Sequence, residues 1–192
     1  MNAPLDLKLD KADFDRWLLK QDRKYEWKEG RVVQMTNVTR AHARIVMNIA
    51  LALDARLDRT QWCVVTSDFG VEDTGTFVRF PDLLVEPEDA GAMDVRRSPS
   101  PVLIFEVLSP SSVDTDMIEK PVEYGTIPSL EAYVVVSQDM ALCWVWERKG
   151  ETAAFPEKPL RIEGRDYAIA LKARGIALPL SEIYRNIPTV DD

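Results

Sequence analysis

The sequence has few of the residues from which many metal and nucleophilic sites are built, because it contains one histidine and two cysteines. Cys63 and Cys143 lie far apart and form no CxxC pair, so neither a cysteine–histidine zinc site nor an HExxH helix is supported. Any bound metal must then be held by oxygen atoms, which favours magnesium or manganese over zinc. Each cysteine is most simply a small buried hydrophobic residue.

Long apolar runs and nucleotide-binding loops are missing too. No apolar run approaches the ~20 residues of a membrane helix, and the N-terminus MNAPLDLKLDKADFD lacks the apolar core of a signal peptide. We therefore expect a cytoplasmic protein. The chain contains no GxxxxGK[ST], GxGxxG or GxSxG stretch, so neither a phosphate-cradling loop nor a serine-hydrolase elbow is supported.

The composition is that of a globular protein with an acidic balance. Of 192 residues, 46% are hydrophobic and 29% are charged, which is typical of a globular protein. This length predicts one domain over residues 1–192. Within it we expect an N-terminal helix in 1–20 and a core in 21–185. Twenty-four basic and 32 acidic residues give a net charge of −8. Sequence-independent DNA affinity comes from basic surface, so any such affinity is expected to be weak.

Patterns along the chain predict helices and strands that are mixed in sequence. Residues 10–21 and 39–57 have the apolar spacing of amphipathic helices, with Thr39 as a cap of the second. The run YEWKEGRVVQM predicts a hairpin that turns at residues 28–30. Other strand-like runs are Cys63–Thr66, Thr76–Phe80, Leu83–Val85, VLIFEVL, AYVVVSQ and LCWVWER. This order predicts an α/β (α+β mixed) fold, with helices packed on a mixed sheet.

Glu106 is the most informative residue of the sequence. It lies in VLIFEVL, a run that is apolar on both faces and therefore typical of a central strand covered on both sides. A carboxylate in such a strand needs a cation or hydrogen bonds to offset its desolvation. Glu106 is thus either a functional carboxylate or a glutamate at the strand end that is paired with an arginine.

Asp82 is the second candidate carboxylate. It follows Pro81 where the run LLVEP begins, and a Pro-Asp pair by itself is common in turns. Glu106 follows on another predicted strand 24 residues later. If the two strands are neighbours, both carboxylates can reach one magnesium ion, which takes one or two protein carboxylates together with waters and phosphate oxygens.

The runs VRFPDLLVEP, PVLIFEVLSPSS and IPSLEAYVVVSQD resemble the Uma-two family of restriction-endonuclease-like proteins, within the PD-(D/E)XK nuclease superfamily. The resemblance extends over residues 20–190. It implies a restriction-endonuclease-like central mixed sheet flanked by helices, and a metal site at Asp82 and Glu106 that takes Mg²⁺ or Mn²⁺. A nuclease acting on DNA is the function it implies, and a catalytically inactive binding or assembly module is the alternative. No membrane partner is expected, and a homodimer is left open.

The superfamily pattern also has a lysine two residues after the glutamate, where this chain has Leu108. The resemblance implies that Lys120 is the matching lysine, on the segment that follows the strand. Asp116 and Lys120 are four residues apart, so they share a face of a helix with Tyr124 one turn on. The alternative is an ordinary exposed ion pair, and Pro121 would disturb a helix already under way at Asp116.

Glu26 and His42 are secondary candidates, together with Asp116. Glu26 lies between Tyr25 and Trp27 in the predicted hairpin and resembles an acidic residue found at this point in the family. His42 falls on the same side of its helix as the buried positions of the apolar pattern, so a hydrogen-bonded histidine at the edge of the core is the simpler interpretation.

Overall fold

More of the described residues lie in strands than in helices, and the helices are interspersed among the strands. The computed structural model describes residues 4–35, 37–66, 68–73, 75–110, 112–150 and 153–190. In chain order its elements are β1 (Pro4–Lys8), α1 (Lys11–Leu18), β2 (Tyr25–Lys28), β3 (Arg31–Gln34), α2 (Arg40–Asp54), β4 (Trp62–Thr66), β5 (Val71–Glu72), β6 (Phe77–Arg79), β7 (Leu83–Pro87), β8 (Leu103–Leu108), a π-helical turn (Thr115–Glu119), α3 (Lys120–Tyr124), β9 (Ala132–Ser137), β10 (Leu142–Glu147), β11 (Leu160–Glu163), β12 (Ala168–Leu171), a 3₁₀ turn (Lys172–Arg174), β13 (Ile176–Pro179) and α4 (Leu180–Ile183).

A six-stranded mixed sheet in the order β11–β10–β9–β8–β7–β4 is the centre of the structure. Strand β8 is antiparallel to β7 and parallel to β9. Its Phe105 face packs with residues of α2 and α4, and its Ile104 face packs with Tyr124 of α3. The predictions of a central VLIFEVL strand and of a mixed sheet flanked by helices are therefore confirmed.

A second, five-stranded sheet has the order β1–β3–β2–β6–β5. Helix α1 packs against it. The β2–β3 hairpin is confirmed, and it turns through Glu29 and Gly30, which both have positive φ angles of 46° and 86°. The prediction of a helix alone in residues 1–20 is incomplete, because β1 precedes α1 and pairs with β3. Leu5 and Leu7 alternate with charged residues in the sequence, which is the period of a strand.

Helix α2 directs its first turn at the end of the central sheet. Thr39 caps the helix by accepting a hydrogen bond from the His42 backbone N–H at 3.1 Å, as the sequence predicted. Ile45, Ile49 and Leu53 are fully buried against the Phe105 face of β8. This packing fixes the rotation of α2, so His42 is held close to the start of β7.

The helical segment that follows β8 changes type just before Pro121. The chain forms the π-helical turn over Thr115–Glu119, and Pro121 then lies in the first turn of α3. A proline is tolerated there because its missing N–H is not needed by the first turn. The segment therefore continues through Pro121 and keeps Asp116 beside Lys120.

In the part of the chain that the structure describes, none of the helices has the length and apolar character that crossing a bilayer requires.

Candidate active site

A cleft of about 270 Å³ opens where β7 begins, β8 ends and α2 begins. The structure brings all of the predicted site residues to it, namely Glu26, His42, Asp82, Glu106, Asp116 and Lys120. A larger cavity of about 850 Å³ lies on the α1 side of the second sheet and contains none of them. The smaller cleft is therefore the candidate site, because it contains the carboxylates and the lysine, although the other cavity is larger.

Strand register places Asp82 beside Glu106. Leu83 pairs with Phe105 in the β7–β8 ladder, so the register extended by one residue sets Asp82 opposite Glu106. The Glu106 Oε2 atom lies 3.4 Å from the Asp82 backbone nitrogen, and Asp82 Oδ2 accepts a hydrogen bond from the Val107 N–H at 2.8 Å. Each carboxylate thus contacts the backbone of the segment that carries the other.

Two groups contact the same oxygen of Asp82. In addition to the Val107 N–H, His42 Nε2 lies 3.0 Å from Asp82 Oδ2. Both contacts fall on Oδ2, which leaves Oδ1 as the oxygen that can face a cation. The other nitrogen of His42, Nδ1, is buried without a hydrogen-bond partner among the described residues. His42 is buried, as expected of a histidine at the edge of the core, but its Nδ1 atom lacks the expected hydrogen-bond partner.

Glu106 is buried at the bottom of the cleft with two donors on its other oxygen. Lys120 Nζ lies 2.6 Å and the Tyr124 hydroxyl lies 3.2 Å from Glu106 Oε1. Burial raises the pKa of Glu106 well above its ordinary value, and the negative charges of Asp82 and Asp116 raise it further although Lys120 acts to lower it. Burial is thus the main cause of the raised pKa of Glu106, and the Lys120 ammonium offsets it only in part.

Lys120 is buried rather than exposed, so the surface ion-pair alternative is wrong. Its Nζ lies 2.9 Å from Asp116 and 4.0 Å from Glu26, in addition to the contact with Glu106. Burial alone would lower the pKa of Lys120, but Asp116 and Glu106 reverse that effect and raise it well above the ordinary value. The side chain is thus a fixed ammonium that contacts three carboxylates.

Arg79 is a residue of this cluster that sequence analysis missed. Its Nη1 atom lies 2.7 Å from Glu26, and its Nε and Nη2 atoms bind Glu123 at 2.8 and 2.9 Å. Lys28 extends the network outward with a contact of 3.0 Å to Glu123. The signal was present in the sequence, because Arg79 is a charge within the apolar run FVRF, as Glu106 is within VLIFEVL.

The donor chemistry of the cleft fits a hard divalent cation. Among the described residues, no group of three or more histidine, cysteine, aspartate and glutamate side chains is arranged to hold a metal, so a cage made only of protein ligands is not formed. Magnesium needs one or two carboxylates, with waters and phosphate oxygens as the rest of its shell. Asp82 and Glu106 are two carboxylates of this kind that line the same cleft.

Comparisons with known proteins agree with this architecture. A family model named Uma2 and described as "Putative restriction endonuclease" matches residues 12–167. An uncharacterized protein of Synechocystis sp. is 28% identical over 120 residues, which cover 60% of this chain and 67% of that protein. A crystal structure of "a putative nuclease belonging to DUF820" from Anabaena variabilis superposes with a TM-score of 0.74 at 12% identity, over 92% of this chain and 97% of that one. At that identity the superposition shows the fold alone.

Proposed function

The chain belongs to the Uma2 family of restriction-endonuclease-like proteins, and from that membership we propose that it is a divalent-metal-dependent nuclease that hydrolyses phosphodiester bonds, with DNA as its substrate. The observation that carries the proposal is the meeting of Asp82, Glu106 and Lys120 in one cleft. Two recessed carboxylates and an ammonium are the groups that such hydrolysis needs around a phosphate.

Asp82 and Glu106 would hold the metal. A bound Mg²⁺ or Mn²⁺ would supply an activated water and would offset the charge that develops on the phosphate. The protein groups fix the two carboxylates: the Val107 N–H and His42 orient Asp82, and the Tyr124 hydroxyl orients Glu106. Pre-organised ligands of this kind keep the reacting groups in place without rearrangement during the reaction.

Lys120 would act as a fixed positive donor toward the substrate. Its ammonium already touches Glu106 and Asp116, so it lies beside the carboxylates where a scissile phosphate would bind. A charged donor at this position stabilises negative charge on a phosphate oxygen or orients the attacking water. Lys120 would thus take the role of the lysine that Leu108 replaces in the superfamily pattern.

A second candidate function is a binding or assembly module that keeps the fold without cleaving. The net charge of −8 and Leu108 in place of lysine favour this alternative. The two functions differ in their need for metal. A nuclease must bind a divalent ion in the cleft and turn over, whereas a module has no such requirement.

Supercoiled plasmid DNA is the substrate for a direct test. We expect the purified chain to nick or linearise the plasmid with Mg²⁺ or Mn²⁺. EDTA should abolish the reaction, because it removes the ion that would supply the activated water. Agarose electrophoresis over a time course measures the conversion. Intact plasmid with both metals, at protein in molar excess, would contradict the nuclease proposal and leave the binding module as the better function.

Glu106→Gln should leave the protein without metal equally stable or more stable. The substitution removes a buried charge whose burial is unfavourable, while it keeps the shape of the side chain and leaves Lys120 its contact with Asp116. Added Mg²⁺ should raise the melting temperature of the wild type and should have little effect on Glu106→Gln. Thermal melts with and without metal measure both effects.

Glu163→Gln is the matched control for these melts, because Glu163 lies on the edge strand β11 and outside the cleft. Its response to Mg²⁺ should equal that of the wild type. A strong destabilisation by Glu106→Gln in the absence of metal would show that Glu106 serves the fold as the partner of Lys120 and would contradict its assignment as a ligand.

A further inference from the structure

The outer face of α2 carries two exposed arginines beside the cleft. Arg40 and Arg44 lie in the first two turns of the helix, four residues apart and therefore on the same side of it. His42 lies between them in sequence but is buried and lines the cleft. Arg40 directly follows Thr39, which also lines the cleft. The two arginines thus begin at the rim of the cleft and extend about 6 Å along the outside of the helix.

A third exposed arginine comes close to the same face from the end of the chain. Asn48 lies one turn beyond Arg44, and its side-chain amide donates hydrogen bonds to the carbonyl oxygens of Ile183 and Arg185 at 2.9 and 3.2 Å. The backbone of Arg185, which is exposed, is therefore held against α2 at this turn. We call Arg40, Arg44 and Arg185 the arginine surface.

The arginine surface takes no part in the contacts that hold the fold together. Within the described part of the chain, none of its three guanidinium groups makes an ion pair or a hydrogen bond. The arginines of the buried and half-buried networks behave differently, since Arg79, Arg97 and Arg174 each contact carboxylates. The charges of the arginine surface are thus available to an external anion.

The stability of α2 does not explain the arginines either. The N-terminal end of a helix carries partial positive charge, which favours acidic side chains there and disfavours basic ones. Helix α2 has no acidic residue in its first turn and has Arg40 at its first position. Two cations at this end oppose the helix dipole, and a bound anion would offset that effect.

Phosphate groups of DNA are anions of the required kind. Among the described residues that line the cleft, Lys120 is the one lysine or arginine, and its ammonium already contacts Glu106 and Asp116. Affinity for DNA comes largely from basic side chains that neutralise several phosphates, so the cleft alone cannot supply it. The guanidinium group is planar and can donate two parallel hydrogen bonds to one phosphate.

We propose that Arg40, Arg44 and Arg185 bind the backbone phosphates that flank the scissile phosphate and so hold DNA across the cleft. The inference rests on the proposed function in taking DNA as the substrate. It assigns binding and chemistry to separate groups, because the arginines lie outside the cleft that contains Asp82 and Glu106. They are positioning residues, and they supply local positive charge on a chain whose net charge is −8.

The double variant Arg40→Gln/Arg44→Gln tests the surface by duplex binding. Fluorescence anisotropy of a labelled DNA duplex is measured in EDTA, which prevents metal-dependent cleavage, over a series of salt concentrations. Loss of two phosphate contacts should weaken binding by about 10–100-fold near ~0.1 M salt and should make the slope of log K against log salt shallower by about 2. Arg185→Gln should make that slope shallower by about 1.

Lys149→Gln/Lys158→Gln is the matched control, because it removes the same charge from two exposed lysines. Lys149 follows β10, whose C-terminal end lies at the opposite end of the sheet from the cleft. This control should leave the affinity and the salt slope unchanged. Arg40→Lys/Arg44→Lys keeps both charges and should keep the slope. Thermal melts of the glutamine variant should lie at or above the wild type, since no ion pair is lost and the helix dipole is relieved.

Single-turnover cleavage with Mn²⁺ separates binding from chemistry. The glutamine variant should need more protein for half-saturation, by the same factor as its loss of affinity, and should keep the maximal rate of the wild type. Unchanged affinity and salt slope, an equal loss in the lysine control, or a fall in the maximal rate alone would overturn the inference. Cleavage that persists with unchanged half-saturation would keep the nuclease function and remove the arginine surface.

Duplex binding without cleavage would have the opposite meaning. The nuclease function would then fail, while an affinity that depends on Arg40 and Arg44 would still support the arginine surface. Met47 and Leu51 are also exposed on this side of α2, so a second copy of the chain is the competing occupant. A dimer in analytical ultracentrifugation that Arg40→Gln/Arg44→Gln dissociates would assign the face to protein and overturn the inference.

Discussion

Asp82→Asn is expected to lower the rate of metal-dependent cleavage by about 10³-fold, because a catalytic metal contributes several kcal/mol to the transition state and each 1.4 kcal/mol is a factor of ten. Asparagine keeps the size of the side chain and can still accept the Val107 N–H, but it loses the negative charge that would hold the cation. Single-turnover rates with Mn²⁺ measure the loss, and titration calorimetry measures the accompanying fall in metal affinity.

Asp89→Asn is the matched control for this change. Asp89 lies just after β7, is exposed, and lies outside the cleft, so the same chemical substitution should leave both the rate and the metal affinity unchanged. Circular dichroism and melts of both variants separate activity from folding. Retention of full activity by Asp82→Asn, or an equal loss in both variants, would contradict the assignment of Asp82 as a metal ligand.

Local pattern was sufficient to predict the pair of carboxylates. Glu106 interrupts an apolar strand, and Asp82 opens another, so the sequence marks both residues. Their proximity depended on one further condition, that the two strands are neighbours, and the antiparallel β7–β8 ladder meets it. A single pairing between strands that follow each other in the chain is the kind of long-range contact that sequence can predict.

Contacts between segments that lie far apart in the chain could not be predicted from the sequence. Arg79 comes from the second sheet and joins Glu26 to Glu123, which lie 53 and 44 residues away. The contact between His42 and Asp82 depends on how α2 packs across the sheet. No periodic pattern in the sequence predicts these side-chain contacts, because the rotation and tilt of each element are set by the packing of the whole core.

Buried ion pairs extend outward from Lys120 in one network. Arg79 is a buried arginine between Glu26 and Glu123. Burial alone would raise the pKa of Glu26, but the charges of Lys120 and Arg79 hold it below its ordinary value. Glu26 in turn lies 4.0 Å from the Lys120 ammonium. Buried ion pairs of this type add little net stability, but removal of one partner is strongly destabilising where it leaves the other charge buried without any partner. The network therefore fixes the position of Lys120 more than it stabilises the fold.

Lys120→Met should destabilise the protein by about 3–5 kcal/mol, because it leaves the buried carboxylates of Glu106 and Asp116 without their ammonium. It should also lower the cleavage rate by about 10²-fold or more, which is the effect of losing one transition-state donor. Urea unfolding without metal measures the first effect, and single-turnover cleavage with Mn²⁺ measures the second. Lys158→Met, at an exposed lysine, should change stability by less than about 0.5 kcal/mol.

The double variant Lys120→Met/Asp116→Asn separates the two roles of the lysine. Removal of the Asp116 charge relieves one of the carboxylates that Lys120→Met leaves unpaired, so part of the lost stability should return. The rate should remain low, because no donor replaces the ammonium beside Glu106. Recovery of the rate in step with stability would mean that Lys120 acts on the fold alone. A low rate in a restabilised protein would place the lysine in the chemistry, in the role that Leu108 leaves vacant.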